Sequence, residues 1–543
     1  MTRLRALFIL LLSLLPLATV YAQDGTPPIT PVSLNTAEPY LRSPRLGINH
    51  ISLTNEPTSD TRYHHALALG AGWNRWPLYW DQVEPQPGEF QWANYDRLVE
   101  NDLRHGLKIN AVLLGRPAFA QDGVRVAGLN EPIFADGTDS PREGKALNPD
   151  NPWVNFVQAA VVRYMPGGTL AAQKDWAAGE GIRVWEVWNE PDYPPFWEAS
   201  IHDYARLLKS AYIVIKQTDP DAQVMFGGLL YNSGYNWLAQ VLAIFENDPR
   251  RDEFNWYFDI AAVHNYGYPW RSGWLVLYAR QTLAAYELER PIWLNESGVP
   301  VWDDYPGPLW TSQPEERLQH ASLQQQAAFF VQSSVYAWAE GADVVFFHQL
   351  YDDCGNQPAG TNFVLHDGEL CEDDAICAGD AFGLFRNERS ALCFSHHPYP
   401  GTARPAATAY QLLAQLFGGA SLNNPLVFTV AEKATIIAFD EAARNERIYV
   451  VWNKTLRPQT LGLPAAGTRA ALYSLTGKPT TLRPDSKGVY HLALPPATLD
   501  SYPELQPGDP TAIGGLPFIL IEQPDVTAPP MMEQFEAALI TPG

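Results

Sequence analysis

The residues best placed to do chemistry stand at the ends of two hydrophobic runs. One is Arg183-Val184-Trp185-Glu186-Val187-Trp188-Asn189-Glu190-Pro191; the other is Pro291-Ile292-Trp293-Leu294-Asn295-Glu296-Ser297-Gly298. Each reads as a buried strand that stops in a polar terminus carrying a Glu. Two carboxyl groups brought together can break a glycosidic bond, one giving a proton to the leaving oxygen while the other attacks the anomeric carbon. A parallel barrel gathers the C-terminal ends of its strands on one face, so Glu190 and Glu296 can meet there despite their distance along the chain.

The elements that must position them follow a strand–helix alternation starting at Leu46. Candidate strands are Leu46–Ile51, Trp73–Leu78, Lys108–Leu114, Arg183–Trp188, Gln223–Gly228, Ile260–His264, Pro291–Leu294 and Asp343–His348. Helical patterns lie between them, among them Tyr95–His105, Tyr204–Lys216, Trp237–Glu246, Leu275–Leu288 and Glu315–Glu340, with a last one at Pro405–Leu416 stopped by Gly418-Gly419. Eight such units predict a parallel sheet with right-handed crossovers, closed as a (β/α)8 barrel over residues 43–420. A doubly wound open sheet is the rival. It needs a Gly-rich phosphate turn after the first strand, and Gly47-Ile48-Asn49-His50 is not one. Residues 421–523 change to short strands with turns, a small antiparallel β-sandwich, and 524–543 with Pro529-Pro530 read as a disordered tail.

The chain has 543 residues and a formal net charge of −23, which argues against nucleic acid or an anionic membrane as partner, since both need a basic surface. Arg3 and Arg5 precede an apolar run from Ala6 to Val20, and Val20-Tyr21-Ala22 offers a signal-peptidase site before Gln23. Residues 1–22 therefore read as an export signal and 23–42 as a lead-in segment; an uncleaved anchor is the alternative. The expectation is a secreted protein with no further membrane association. All 4 cysteines, Cys354, Cys371, Cys377 and Cys393, fall in the 352–398 loop, which in an exported chain points to two disulfides of unspecified pairing. A zinc site is the weaker reading, because no close Cys-x-x-Cys pair occurs.

The Trp188-Asn189-Glu190-Pro191 string and the Asn295-Glu296 strand end resemble the acid/base and nucleophile motifs of glycoside hydrolase clan A, the retaining (β/α)8 glycosidases. The resemblance covers roughly 43–525, and the layout with a small β domain is similar to family 39 and some family 5 relatives. It implies that Glu190 is the acid/base and Glu296 the nucleophile, and that Asn189 contacts the sugar 2-hydroxyl. His264 and Tyr266 match the clan's strand-six pair, in which the Tyr hydroxyl touches the nucleophile. Arg75, in Asn74-Arg75-Trp76-Pro77, matches an Arg that keeps the nucleophile ionised. His348 stands where many members have a Trp under the sugar. Trp197, Trp270, Trp302 and Trp310, in strand-to-helix loops, are candidates for the aromatic face.

Glu186, mid-strand, reads as a structural acid that needs a partner, since an unpaired buried charge is costly. Asp352-Asp353 is weak as a calcium site and reads as a solvated loop. No metal, nucleotide or flavin is implied, the partner is a carbohydrate substrate, and nothing in the sequence sets the oligomeric state. The long Arg116–Trp153 connection and the 352–398 insertion can wall the site, pointing to a pocket and to exo action or short oligosaccharides. Two further readings are an inactive carbohydrate-binding barrel and a transglycosylase using the same acids.

Overall fold

The computed structural model describes residues 42–54, 60–301, 304, 321–352, 381–390, 397–475, 478–498 and 513–539. The export signal, nearly all of the lead-in, the four cysteines, Trp302, Trp310 and Asp353 lie outside them.

Eight parallel strands form the centre: β1 (Leu46–Asn49), β2 (Trp73–Tyr79), β3 (Lys108–Leu114), β4 (Val184–Val187), β5 (Gln223–Phe226), β6 (Ala261–Tyr266), β7 (Ile292–Gly298) and β8 (Val344–Phe347). They pair in the order β5-β4-β3-β2-β1-β8-β7-β6. Bridges Met225↔Ile260 and Leu229↔Val263 join the two ends, so the sheet closes as a barrel. These strands are near-continuous apolar runs, as expected where both faces are covered. Trp73, Val184, Met225, Trp293, Val344 and Phe346 form one apolar cluster inside the barrel. Gly47 opens room there: a Cβ on it would lie 2.2 Å from the Phe346 ring.

The outer layer is α1 (Asp60–Leu69), α2 (Ala93–Arg104), α3 (Pro152–Tyr164), α4 (Ile201–Thr218), α5 (Trp237–Glu246), α6 (Pro269–Ala285), α7 (Leu323–Ala339) and α8 (Pro405–Phe417). Their starts are written locally. Pro opens α3, α6 and α8, where its missing N–H costs nothing. Ser200 with Asp203 and Ser322 with Gln325 form reciprocal capping boxes at α4 and α7. Among the described residues no helix is long and apolar enough to cross a membrane.

The C-terminal region is a small antiparallel sandwich. Its strands are β9 (Leu422–Val430), β10 (Ala434–Glu441), β11 (Glu446–Asn453), β12 (Gln459–Pro464), β13 (Ala470–Tyr473), β14 (Pro479–Leu482), β15 (Val489–Leu494) and β16 (Phe518–Glu522). One sheet runs β9-β10-β11-β16-β13-β14, and β12 pairs with β15. Leu426–Val430, Thr435–Phe439, Ile448–Trp452, Ala470–Ser474, Val489–Leu494 and Phe518–Glu522 read as strands from the sequence; β12 and β14 do not, because Gly and Pro interrupt their alternation. Ile437, Phe439, Ile448, Val450, Trp452 and Ile519 of the sandwich belong to the same apolar core as the barrel's helices. The Gln332 side chain on α7 donates to Gly515 O at 3.0 Å and accepts from Gly514 N at 3.1 Å.

Two expectations are corrected here. The tail is not without order: α9 (Met531–Leu539) follows Pro529-Pro530 and buries Met531 and Phe535 in the sandwich core. Proline ahead of a helix is compatible with its start, so the pair marks an entry and not a break. Asp352 is not a solvated loop residue. It is buried and accepts from Arg404 Nη1 at 2.6 Å, Arg404 Nη2 at 2.8 Å and Gly383 N at 2.9 Å.

Candidate active site

The ends of β4 and β7 bring Glu190 and Glu296 together at the C-terminal mouth of the barrel. Oxygens of these two carboxyl groups and a nitrogen of His264 all lie within 4.8 Å of one another. The chain leaves β4 through a constrained turn, with φ of 70° at Trp188 and 44° at Glu190. Non-glycine residues in this left-handed region cost ~1–2 kcal/mol each, so the surroundings must hold them there. They do: Trp188 N donates to Leu113 O at 3.0 Å, and its indole Nε1 donates to Phe196 O at 2.8 Å. Asp192, two residues on, accepts from Leu230 N at 3.1 Å and Tyr231 N at 2.6 Å, tying the loop to the end of β5.

On the other side, a bulge shifts the β6–β7 register between Val263 and His264, setting His264 opposite Glu296. The extra residue is Asn295, because Val263 pairs with Leu294. A bulge re-aims side chains that strict alternation would send to opposite faces. Here Asn295 Nδ2 reaches Glu186 Oε2 at 2.9 Å while Glu296 faces the cavity.

Arg75 is the hub. Its Nε and Nη2 donate to Glu186 at 2.7 and 2.9 Å, Nη2 also donates to Asn189 Oδ1 at 2.8 Å, and Nη1 donates to Glu296 Oε1. Glu186 is thus the buried acid whose partner the sequence requires, and Gly228 N donates to it as well at 3.1 Å. Tyr266 donates its hydroxyl to Glu296 Oε2. His264 Nδ1 lies 2.8 Å from Glu190 Oε1 and 3.5 Å from Glu296 Oε2. His264 Nε2 has no partner among the described residues and abuts Gly228, where an added Cβ would fall 2.0 Å away.

The two carboxyl groups sit in opposite environments. Burial lifts Glu190 above the ordinary carboxylate range, and the bond from His264 only partly offsets it. Burial would lift Glu296 too, but the charges of His264 and Arg75 and the Tyr266 hydroxyl hold it well below that range. A pair of acids pushed apart in this way gives one protonated and one ionised carboxyl at the same pH.

The cavity over this centre measures about 290 Å³ and is lined by Arg75, Asn189, Glu190, Tyr266, Glu296 and His348, with His50, Tyr79 and Phe196 among its other walls. His348 sits at the end of β8 with its ring edge-on to Tyr266 at 5.9 Å and to His50 at 5.7 Å. Burial pushes His50 down to about 3, so it is a neutral imidazole. His264 and Trp270, both expected against the substrate, do not line this cavity. His264 is fully buried. Trp270 is 42% exposed at the start of α6, against Tyr268, and lines none of the three cavities among the described residues. Pro269 starts α6 there, so Trp270 belongs to a helix and not to a loop. Trp197 lines a neighbouring cavity with Trp188. Sequence reasoning misses His50, Tyr79 and Phe196; their one signal is position, at or just beyond the C-terminal ends of β1 and β2 and in the loop that follows β4.

Glu190, His264 and Glu296 also form a group of three that could hold a metal ion. The donor set fits one poorly, because Arg75 already places a cationic nitrogen on Glu296 Oε1. A metal cation there would face the guanidinium across a shared ligand.

No protein-family model matches the chain, and comparison with curated proteins finds no match. Solved structures do match. A family 39 glycoside hydrolase from Bacteroides cellulosilyticus WH2 aligns at TM-score 0.55 and 17% identity over 88% of this chain and 81% of that one. A family 51 α-L-arabinofuranosidase from Bifidobacterium longum aligns at TM-score 0.51 and 13% identity over 91% and 99% of the two chains. A family 30 endoxylanase from Clostridium papyrosolvens C71 aligns at TM-score 0.50 and 11% identity over 91% and 100%. At these identities the likeness shows the fold alone, a (β/α)8 barrel followed by a small β-sandwich.

Proposed function

We propose that this protein is a secreted retaining glycoside hydrolase. One observation carries the reading: two carboxyl groups with oxygens within 4.8 Å, one lifted by burial and the other held ionised by Arg75 and Tyr266. Retaining enzymes hold their carboxyl groups ~5–5.5 Å apart and inverting ones ~6.5–9.5 Å apart, the latter leaving space for a water between the basic carboxylate and the sugar.

Glu296 attacks the anomeric carbon with its ionised oxygen. As the glycosidic C–O bond breaks, Glu190 gives its proton to the departing oxygen. Glu190, now ionised, takes a proton from water, whose oxygen attacks the same carbon and releases Glu296. Arg75 and Tyr266 fix the Glu296 carboxylate, leaving it acidic enough to remain an anion between turnovers. Asn189, oriented by Arg75 Nη2, lies beside the cavity where a sugar hydroxyl would strengthen its contact as charge develops. His348 and His50 offer hydrogen-bonding ring edges in place of a broad aromatic floor. The export signal at 1–22 and two disulfides among the four cysteines complete the reading.

The test is sugar release from a panel of aryl β-glycosides and plant polysaccharides by wild type, Glu190→Ala and Glu296→Ala, with product anomer followed by NMR. Turnover lost in both variants, with retention of configuration, is the expected result. Sugar binding without turnover in the wild type would favour the inactive barrel instead.

A further inference from the structure

Residues 381–386, inside the long insertion after β8, run back to the catalytic centre. Phe382 meets Tyr266 at 5.7 Å between ring centroids and 74° between planes, and it meets His348 at 5.3 Å and 76°. Tyr266 and His348 in turn meet at 5.9 Å and 84°. The three rings thus stand edge to face, each steeply inclined to the other two, an arrangement that aromatic quadrupoles favour. Tyr266 gives its hydroxyl to Glu296 and His348 walls the reactive cavity, whereas Phe382 is half-buried and not among that cavity's walls. Gly298, two residues past Glu296, leaves the room for this packing. A Cβ there would fall 2.6 Å from His348 O and 3.1 Å from Phe382 Cδ1.

Resting on the proposed hydrolase reading, we infer that Phe382 is a positioning residue. Its ring holds the Tyr266 hydroxyl on the nucleophile and keeps the His348 imidazole turned to the cavity, so a segment outside the barrel's strand–helix repeat completes the centre. Tyr266 closes β6 and is followed by Gly267 with φ of 94°, and His348 lies one residue past β8. At such strand ends the main-chain ladder runs out, and packing sets the direction of each ring.

The mount of Phe382 is built to keep it still. Val301 N donates to Ala381 O at 3.0 Å, Gln326 Nε2 of α7 donates to Phe382 O at 3.2 Å, and Leu384 N donates to Gln349 O at 2.9 Å. Gly383 N donates to Asp352 Oδ1 at 2.9 Å, and Arg404 Nη1 donates to Gly383 O at 2.8 Å. These two charged residues belong to a buried cluster. Arg404 also donates to both oxygens of Asp352 and, through Nε, to Asp304 Oδ2 at 3.0 Å. Arg386 Nε donates to that same oxygen at 2.7 Å, and His397 Nε2 lies 3.0 Å from Asp304 Oδ1. Ion groups buried in this way contribute little net stability, because desolvation offsets their attraction. What the cluster fixes is the path of 381–386, and the side chain that this path delivers to the centre is Phe382.

The experiment uses the full chain. Hydrolysis of an aryl β-glycoside and urea unfolding are measured for wild type, Phe382→Ala, Phe382→Leu, Tyr266→Phe and the double variant Phe382→Ala/Tyr266→Phe. Crystal structures are solved for wild type and Phe382→Ala. The expected loss of kcat/KM is about tenfold or more in both Phe382 variants, as a displaced hydroxyl at the nucleophile entails. Phe382→Leu should recover most of the unfolding midpoint without recovering the rate, because bulk without a ring edge fills space and does not set orientation. In the Tyr266→Phe background the factor lost on adding Phe382→Ala should shrink roughly threefold or more, since the hydroxyl to be positioned is already gone. In the crystal of Phe382→Ala the Tyr266 hydroxyl should leave Glu296. Should Phe382→Ala not fold, Phe382→Leu carries the same comparisons. Rates that follow stability across the variants, effects of Phe382 and Tyr266 that multiply in full, or Tyr266 and His348 rings that stay in place would each overturn the inference. Rings that move in a protein without turnover would uphold the positioning and remove the hydrolase reading. Turnover with unmoved rings would do the reverse.

Discussion

Glu186 gives a sharp test because its side chain never reaches the cavity and yet should govern what happens there. It is fully buried and accepts through Oε2 from Arg75 Nε at 2.7 Å and Asn295 Nδ2 at 2.9 Å. Through Oε1 it accepts from Arg75 Nη2 at 2.9 Å and Gly228 N at 3.1 Å. Glu186→Gln keeps the shape but turns one of these oxygens into an NH2 group. Whichever way the amide settles, two donors face a donor, and Arg75 loses one of its two carboxylate partners. Two bonds to a charged acceptor amount to ~3–6 kcal/mol at ~1.5–3 kcal/mol each, in line with ~3–5 kcal/mol for breaking a buried ion pair. We therefore expect a loss of ~3–5 kcal/mol in folding stability by urea titration of tryptophan fluorescence, which a domain with ordinary reserves survives. With Arg75 no longer pinned, Glu296 loses its fixed orientation, and kcat/KM on an aryl glycoside should fall ~100-fold, as misplacements of about 1 Å do. A variant within ~1 kcal/mol of wild type, inside the spread of unremarkable substitutions, and with unchanged turnover would show that Arg75 is held by other contacts and that the hub is misassigned.

His264→Ala should move both limbs of the pH–rate profile in the same direction. In the proposed mechanism Glu190 works protonated, and His264 lowers it, so the alkaline limb should shift to higher pH when the imidazole goes. In the same mechanism Glu296 works ionised and is also lowered by His264, so the acid limb should rise as well; a downward shift of either limb refutes the assignment. Trp452→Ala, at the seam where its ring meets Tyr336 of α7 edge-on at 5.4 Å, should destabilise barrel and sandwich together by ~3–5 kcal/mol in one unfolding transition. Two separated transitions in scanning calorimetry would contradict it.

The barrel and the pair of acids are legible in the sequence because both are encoded locally. Apolar runs, caps and Pro at helix starts set the elements, and Trp188-Asn189-Glu190 and Asn295-Glu296 follow directly from two of those runs. Glu186 is legible only halfway: its burial demands a cation, but nothing along the chain names Arg75. The bulge at Asn295 is invisible, since an extra residue in one strand shows only against its partner. His50, Tyr79 and Phe196 carry no motif and become site residues through position alone. Trp270 misleads because Pro269 beside it already starts α6, so the indole stands on a helix and not in a strand-to-helix loop. In the tail, the same rule applied to Pro529-Pro530 would have opened a helix where composition alone indicates none.

The joint between α7 and the sandwich has a consequence for inheritance. Gln332 and Tyr336 meet Gly514, Gly515 and Trp452 as interior neighbours, with no tether of exposed chain between the two halves. A recombination event that cut the gene between α8 and β9 would leave one half with a bare apolar wall and the other with half a core. The sandwich therefore cannot travel as a cassette in the way that linker-joined sugar-binding modules do. Residues on the two sides of the seam must instead drift in concert, and a lineage that lost the sandwich would have to rebuild the outer face of α7 to keep its barrel.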